Sequence, residues 1–574
     1  MDCRERILSN DYYDIITDFD VRPVRAGEFD QCSVTVENLY SIVYFNRSQL
    51  ANQSAYFFEH RNLPKLYGLM QENVLPPGEQ PFDPTPLIAS GILQMQEEPL
   101  KLVGRGCVIV FIDTGIDYRN PAFRKEDGTT RLLAIWDQTI QEGTPPEGFL
   151  YGTEYSREEI NAALQATDPF DLVPSRDTNG HGTNLAAVAA GSVLQGEGSF
   201  VGAAPEADIV VVKLKECKPY LRDFYLVPND VPAFEETDLM LAVQYGTGFA
   251  ELFQRPVVFC IGVGTNYGDH AGNSALSGYL AAVASRRSHA VVVCGGNEGN
   301  SATHYRGNLR NAGTALSNQI PVEVRVGENA DGFLLQLWGN VPDVFTLGVR
   351  TPGGETIPPI RLGLEQALNY RFIYEKTRIT IAASLVEPAS GEELITLRIQ
   401  DPTPGIWTFL VETVGEIHNG EFHMWLPLRQ FMNAENFFLE PSPYTTLTEP
   451  AYAGEAITVS AYNSDNNSFY INSGRGFSRL GEVKPDLAAP GVEVSLLRGT
   501  GTGSGLSAAL TAGAVAQFMQ WAVAEGNNVV VGSREIKNFF IRGAARSFDL
   551  VYPNREWGYG RLDLEGAFNA MRNL

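Results

Sequence analysis

The sequence predicts an α/β fold: a parallel sheet with helices on both faces, plus an antiparallel β insertion and a small α/β unit at the N-terminus. Three observations lead to this prediction. Short, continuously apolar runs alternate with helix-like segments over two separate stretches of the chain. An alternating apolar and polar pattern replaces them between about residues 315 and 430, and Pro- and Gly-rich turns close the N-terminal segment. At 574 residues, the chain has room for several domains of roughly 100–200 residues each.

The N-terminal unit is predicted to span residues 1–95. Two strand-like segments, residues 32–36 and 41–45, indicate a small mixed structure. A proline-rich run at residues 75–78 follows them, and such a run punctuates a chain because proline ends regular structure. We therefore place a domain boundary near residue 95.

The α/β part is predicted in two pieces, residues 96–314 and 431–574. Its first piece contains four apolar runs of strand length, at residues 108–112, 209–214, 257–261 and 290–294. Continuous apolar strands that alternate with helices predict a parallel sheet buried on both faces. The pattern resumes near residue 457 and ends in helix-like segments. Because ligands bind beyond the carboxyl ends of such strands, the residues directly after each run are candidates for a site.

The insertion is predicted to occupy residues 315–430. Segments at residues 322–326, 378–381 and 407–411 alternate apolar and polar side chains between Gly and Pro turns. Alternation of period two is typical of strands with one buried face. We therefore expect an antiparallel, jelly-roll-like β domain.

The composition argues against several classes of function. The chain has 43 Lys and Arg against 68 Asp and Glu, a formal net charge of −25, which disfavours nucleic acid or an anionic membrane face as a partner. The charged N-terminus lacks the apolar run of a secretory signal. The longest apolar stretches fall far short of the roughly 20 residues that span a bilayer. Six scattered cysteines predict reduced, mostly buried thiols and an intracellular location.

Three polar residues stand where a site is expected. Asp113 ends the first apolar run, His181 lies between glycines at the entry to a small-residue helix, and Asn297 follows the run 290–294 in a glycine-rich turn. Taken singly, each is more often a turn or capping residue, because these side chains favour local hydrogen bonds. With Asp113 upstream, His181 favours an Asp–His pair for acyl transfer. Asn297 is either a residue of turn geometry or an oxyanion donor.

Five ordered motifs resemble the S8 subtilisin family of serine peptidases. They are Asp-Thr-Gly-Ile-Asp from residue 113, Asn-Gly-His-Gly-Thr from 179, Val-Gly-Ala-Ala-Pro from 201, Gly-Asn-Glu-Gly from 296 and Lys-Pro-Asp-Leu-Ala-Ala-Pro-Gly-Val from 484. The likeness runs from about residue 102 to the C-terminus, apart from the insertion. The N-terminal unit, the stretch 151–155 and the insertion make the chain most similar to the clostridial Csp proteases of spore germination.

The resemblance implies a subtilisin-like fold and a role for each candidate. Residues 1–95 correspond to a prodomain that acts as folding chaperone and inhibitor. Asp113 orients His181, His181 is the general base, and Asn297 donates to the oxyanion. The substrate-binding residues pair with an extended peptide; they are Ile261, Gly262, Val263 and Gly264. The expected partners are a protein or peptide substrate or a partner protease, and the chain's own prodomain.

The motif that carries the nucleophile departs from the family pattern. The family has Gly-Thr-Ser and, after small residues, Ala-Gly. Aligning the Ala-Gly at residues 512–513 places Gly-Ser-Gly, residues 503–505, under Gly-Thr-Ser, so the nucleophile position reads as Gly505. Two alternatives stay open. A register shifted by one residue makes Ser504 the nucleophile, and Ser507 is the other hydroxyl, although a turn of about 100° per residue puts it on another side of the helix.

Two functions therefore follow as expectations. In one, the chain is a Csp-type endopeptidase scaffold that is impaired or inactive, a pseudoprotease that acts by binding. In the other, it is an active serine endopeptidase that uses Ser504 or Ser507. Either protein is expected in the cytoplasm or the spore interior, with no membrane insertion and no nucleic-acid partner. No cofactor is predicted. No metal site is predicted either, and a calcium site built from scattered carboxylates and carbonyls has no signature in a sequence.

Overall fold

The computed structural model describes residues 2–18, 32–50, 62–70, 72–75, 82–195, 199–311, 319–360 and 366–572. Two predicted landmarks, the proline-rich run at residues 76–78 and the boundary between residues 314 and 315, lie outside these residues. Within them the predicted fold class is confirmed, because a mainly parallel central sheet flanked by helices carries separate antiparallel sheets.

The N-terminal segment contains a small antiparallel sheet and two further strands that pair with other parts of the protein. Its elements are α1 (Cys3–Leu8), β1 (Tyr12–Asp18), β2 (Cys32–Val36), β3 (Tyr40–Asn46), β4 (Leu66–Leu69), β5 (Glu72–Leu75), α2 (Thr85–Ala89) and α3 (Ile92–Gln96). Strands β1, β3 and β2 form one antiparallel sheet, whose apolar face shares a core with the central sheet. Strands β4 and β5 pair instead with strands of the α/β part.

The first α/β piece builds most of the central sheet. Its elements are β6 (Val108–Asp113), β7 (Leu132–Asp137), β8 (Thr153–Ser156), α4 (Arg157–Gln165), α5 (His181–Ala190), β9 (Asp208–Lys213), α6 (Pro219–Tyr225), β10 (Phe234–Glu235), α7 (Glu236–Phe253), β11 (Val257–Ile261), β12 (Val263–Gly264), α8 (Ala275–Ala284) and β13 (His289–Cys294). Strands β13, β11, β6, β9 and β7 are neighbours in that order and run parallel. Their carboxyl ends therefore lie along one edge.

The insertion is built from two antiparallel sheets that share one apolar core. Its strands are β14 (His304–Asn308), β15 (Gln319–Val326), β16 (Gly332–Gly339), β17 (Phe345–Arg350), β18 (Thr356–Ile360), β19 (Gln366–Arg371), β20 (Arg378–Ser384), β21 (Glu393–Gln400), β22 (Gly405–Thr413), β23 (Glu421–Trp425) and β24 (Phe437–Phe438). One sheet has the order β14-β23-β16-β21-β20-β19 and the other β18-β17-β22-β15-β24. Alternate residues of these strands fill the space between the sheets.

The last segment completes the central sheet and supplies its longest buried helix. Its elements are β25 (Ile457–Asn463), β26 (Ser468–Phe469), β27 (Leu487–Pro490), β28 (Val494–Ser495), β29 (Thr500–Thr502), α9 (Ser504–Met519), α10 (Ser533–Gly543) and α11 (Leu564–Arg572). Helix α9 continues to residue 524, which makes the apolar segment Ser504–Ala524 long enough to span a membrane by length and composition. This differs from the prediction that no apolar stretch reaches this length. The most apolar 18-residue window of the segment is 89% buried inside the fold, as in the core helix of a folded protein.

The cysteines differ in part from the prediction of six free thiols. Cys3 in α1 and Cys32 in β2 are joined as a disulfide, with their Cα atoms 5.4 Å apart. The pairing was not visible in the sequence, because 29 residues separate the two and only the fold brings them within reach. The other four cysteines are free and buried, as predicted; they are Cys107, Cys217, Cys260 and Cys294.

A buried column of histidines lies in the insertion. His304 Nε2 is 2.9 Å from His423 Nδ1, and His423 Nε2 is 3.1 Å from a carboxylate oxygen of Glu421. Because a carboxylate only accepts, His423 donates from Nε2 and therefore accepts at Nδ1 from His304. Both imidazoles are neutral in this arrangement. Burial lowers the pKa of His423. Burial also lowers the pKa of His304 well below its usual range, and repulsion between the two rings, were both protonated, lowers it further.

This column predicts acid sensitivity of the fold. A base whose pKa is depressed in the folded state binds its proton in the unfolded chain first, so the free energy of unfolding falls as the pH drops below about 6.5. We expect His304→Gln to remove about 1.4 kcal/mol per pH unit of that dependence. The measurement is urea unfolding between pH 7.5 and 5. The exposed His418, changed to Gln, is the matched control. An unchanged slope in His304→Gln would contradict the prediction.

Candidate active site

Asp113 and His181 form a buried hydrogen-bonded pair. Asp113 is the last residue of β6, and His181 is the first residue of α5, where Gly180 precedes it with φ +89°. The Nδ1 atom of His181 lies 2.7 Å from Oδ1 of Asp113, and the two residues are 3% and 1% exposed. The pairing leaves Nε2 as the nitrogen that faces the groove. Among the described residues, Nε2 has no hydrogen-bond partner.

The turn before α5 positions this pair through Asp177. One carboxylate oxygen of Asp177 accepts from the hydroxyl of Thr114 at 2.9 Å, and the other accepts from the amide and the hydroxyl of Thr183. The loop after β6 is thereby tied to the first turn of α5. Gly182 is required here, because a Cβ at this position would lie 2.3 Å from the carbonyl oxygen of Gly115. The sequence motif encodes this close approach.

Asn297 lies at the start of the glycine-rich turn after β13, on the same edge of the sheet. It is 5% exposed, and its Oδ1 accepts from the backbone N–H of Ser504 at 3.0 Å. With its oxygen used in this way, the amide of Asn297 keeps its NH₂ group as a donor. Stabilisation of an oxyanion requires such a hydrogen-bond donor.

The residue beside His181 at the start of α9 is Gly505. A Cβ built on Gly505 would lie 3.6 Å from His181 Nε2 and 3.6 Å from Cδ2 of Leu185. The hydroxyl of Ser507 instead donates to the carbonyl of Ala489 at 3.0 Å, on the sheet side of the helix. Ser504 is fully buried, and its hydroxyl has no hydrogen-bond partner among the described residues.

A segment of the N-terminal unit lies in the groove beside these residues. Strand β4 is the middle strand of a three-stranded sheet, with β10 on one side and β12 on the other. The amide of Met70 donates to the carbonyl of Gly262 at 3.0 Å, and the carbonyl of Met70 accepts from the amide of Gly505 at 3.0 Å. Strand β5 then pairs with β29. The chain therefore passes the site as an extended peptide bound on both sides of Met70.

The predicted site residues come together with one difference in detail. Asp113, His181, Asn297 and Gly505 meet at the carboxyl edge of the sheet, and Gly262, Val263 and Gly264 contact the segment 66–70. Ile261 instead ends β11 and packs into the core. Sequence reasoning missed Met70 and Gln430, whose Nε2 donates to the carbonyl of Leu69 at 2.9 Å. No motif marks either residue, because both reach the site through long-range packing.

Comparisons with known proteins find similar sequences and a similar structure. Residues 104–320 and 436–560 match the model of the subtilase family, Peptidase S8. The structure of the Clostridium perfringens CspB protease is 30% identical, covers 85% of this chain and 99% of its own, and superposes with a TM-score of 0.75.

Curated plant proteins match over a shorter stretch. Subtilisin-like protease SBT3 of Solanum lycopersicum is 25% identical over 171 residues, 27% of this chain and 22% of that protein. Subtilisin-like protease SBT2.2 of Arabidopsis thaliana is 34% identical over 140 residues, 21% of this chain and 16% of that protein. The chain thus spans about a fifth of the length of these curated relatives.

Proposed function

This chain belongs to the subtilase family of serine peptidases, and from that premise we propose that it is a member that has kept the peptide-binding groove and lost peptide-bond hydrolysis. The observation that carries the proposal is the position of Gly505, beside Nε2 of His181 and against the carbonyl of Met70. A covalent peptidase needs a hydroxyl oxygen at this point, because the general base activates it for attack on the carbonyl carbon. Glycine supplies none.

The two alternative nucleophiles are disfavoured by their surroundings. Ser507 already donates its proton to Ala489 on the far side of the helix. Ser504 is fully buried, and its backbone amide donates to Oδ1 of Asn297. Either serine could attack the Met70 carbonyl only if the first turn of α9 rotated, and that would break the hydrogen bond between Gly505 and Met70.

We propose that the protein acts by binding. Its groove holds an extended peptide through backbone hydrogen bonds on both sides of Met70, which is the way subtilisin-like grooves hold a protein substrate. The partner is a protein segment or a partner protease, in competition with the chain's own N-terminal segment. We place this activity in the cytoplasm or the spore interior, in line with the Csp-like resemblance, and cell fractionation tests that placement.

The test of the lost chemistry is covalent labelling. We expect the purified chain to resist a serine-directed phosphonate probe and to keep its N-terminal unit attached, so that it runs as one chain near 62.9 kDa. Mass spectrometry of the intact protein measures both. Strong labelling that disappears in Ser504→Ala or Ser507→Ala would instead establish an active serine peptidase in a shifted register.

A further inference from the structure

We propose that Gln430 and Leu428, which lie between β23 and β24 of the insertion, select the peptides that the groove accepts by demanding glycine at the position now held by Gly68. The inference rests on the proposed function only in that the groove binds peptides. It names the peptide class: an extended segment in which glycine stands two residues before the residue whose carbonyl meets the amide of Gly505.

The insertion contacts part of one edge of the bound strand β4. On one side, β12 pairs Val263 with Leu69 and Gly264 with Gly68. On the other side, β10 pairs only with Leu66 and Tyr67. At Leu69 the hydrogen bond comes from the insertion instead of β10: Nε2 of Gln430 donates to the Leu69 carbonyl at 2.9 Å. A residue of the insertion thus completes the hydrogen bonding of the groove.

The same two insertion residues close the space over Gly68. A Cβ on Gly68 would lie 2.7 Å from Nε2 and 3.0 Å from Cδ of Gln430, and 3.1 Å from Cδ1 of Leu428. A contact below 3.0 Å forces one of the two atoms to shift, and here the mobile partner is the amide end of the Gln430 side chain. That same amide donates to the Leu69 carbonyl, so its displacement disturbs this hydrogen bond. Leu428 cannot yield easily either, because it is fully buried in the core.

The neighbouring positions of the segment accept large side chains. Leu66 and Tyr67 are fully buried and Met70 is 1% exposed, so their side chains fill space inside the protein. Leu69 is half-buried and is less constrained. The recognised sequence is therefore two large apolar or aromatic residues, then glycine, a tolerant position and a methionine-sized residue. Shape selects the glycine, since a hydrogen bond to a backbone carbonyl carries no side-chain information.

The test measures how tightly the segment 66–70 is held in the intact chain. Hydrogen exchange of the Met70 amide, which donates to Gly262, reports on local release of the strand. We expect Gly68→Ala to speed this exchange about tenfold or more, because an over-packed contact in a buried site is costly. Gly248→Ala is the matched control, since a Cβ there meets nothing within 4 Å. Exchange of the central strand β11 serves as the reference for global stability.

A second variant makes the mechanism specific. In a Gln430→Ala background, Gly68→Ala should add little to the exchange of Met70, because the methyl group then occupies the space that the amide left. Gln430→Met, which keeps the bulk and removes the donor, should speed exchange by itself. If Gly68→Ala has the same effect with and without Gln430, or no effect at all, the inference is overturned. Neither result depends on covalent labelling, so it stays separate from the test of lost hydrolysis.

Discussion

Replacing Gly505 with serine is expected to create a reactive nucleophile and to start cleavage of the chain after Met70. The Cβ of the new residue would lie 3.6 Å from Nε2 of His181 and 2.9 Å from the Met70 carbonyl oxygen. The Met70 carbonyl must therefore shift slightly, and a hydroxyl one bond beyond the Cβ is then within reach of both groups. The serine oxygen would attack the carbonyl carbon of Met70, and His181 would pass the hydroxyl proton to the leaving amine. Water would then hydrolyse the ester. In subtilisin, removal of the serine lowers turnover by about 10⁶, and we expect a gain toward that order here.

The measurement is phosphonate labelling together with the N-terminal sequence of the larger product, which should begin at residue 71. Gly505→Ala is the matched control, since it adds the same Cβ without a hydroxyl and should stay unlabelled. Gly505→Ser with His181→Ala should also stay unlabelled, because the general base is gone. Ser504→Thr with Gly505→Ser restores the whole family motif. If neither serine variant is labelled or cleaved, the assignment of Gly505 to the nucleophile position is wrong.

Replacing Lys218 with methionine is expected to lower the free energy of unfolding by about 3–5 kcal/mol, because it leaves a buried carboxylate without its cation. Lys218 forms an ion pair with Asp14 of β1, and the two side chains are 4% and 2% exposed. The backbone amide of Asp14 is also bonded inside the protein, where it donates to the hydroxyl of Tyr220 at 2.9 Å. The pair joins the N-terminal unit to the α/β part, so this unit should become the first part to be digested by an added protease.

Urea unfolding and limited proteolysis measure this effect. The matched control is Arg105→Met, which breaks an exposed pair with Glu206 whose side chains are 61% and 46% exposed, and which should cost no more than about 1 kcal/mol. Asp14→Leu together with Lys218→Met should recover much of the loss, because the buried Glu235 nearby keeps its ion pair with Lys215 at 2.9 Å. A loss below about 1 kcal/mol in Lys218→Met would show that the pair is not needed to hold the unit in place.

Much of the fold could be predicted because its signals are local. The runs at 108–112, 257–261 and 290–294 are apolar at every position, and they became the central strands β6, β11 and β13, covered by helices on both faces. The alternation between residues 315 and 430 became two antiparallel sheets around one core. The domain boundaries themselves stay predictions, as does the jelly-roll topology of the insertion.

The short motifs around the site could be read from the sequence alone. Asp113 ends a strand, His181 begins a helix and Asn297 lies in a turn. Each has glycine within two residues in the sequence, and the close approach at Gly182 shows why glycine is needed there. The alignment at residues 503–505 pointed to glycine at the nucleophile position. The chemical roles of these residues await the experiments above.

Only the tertiary structure decided which side chains meet across the chain. The phase of α9 turns Gly505 toward His181 and Ser507 toward Ala489, a difference that the one-dimensional alignment left open. The tertiary fold also brings Met70 into contact with Gly505, Gln430 with Leu69 and Cys3 with Cys32. These contacts join residues far apart in sequence. Because their geometry depends on the packing of whole domains against one another, no local pattern of residue types could have predicted them.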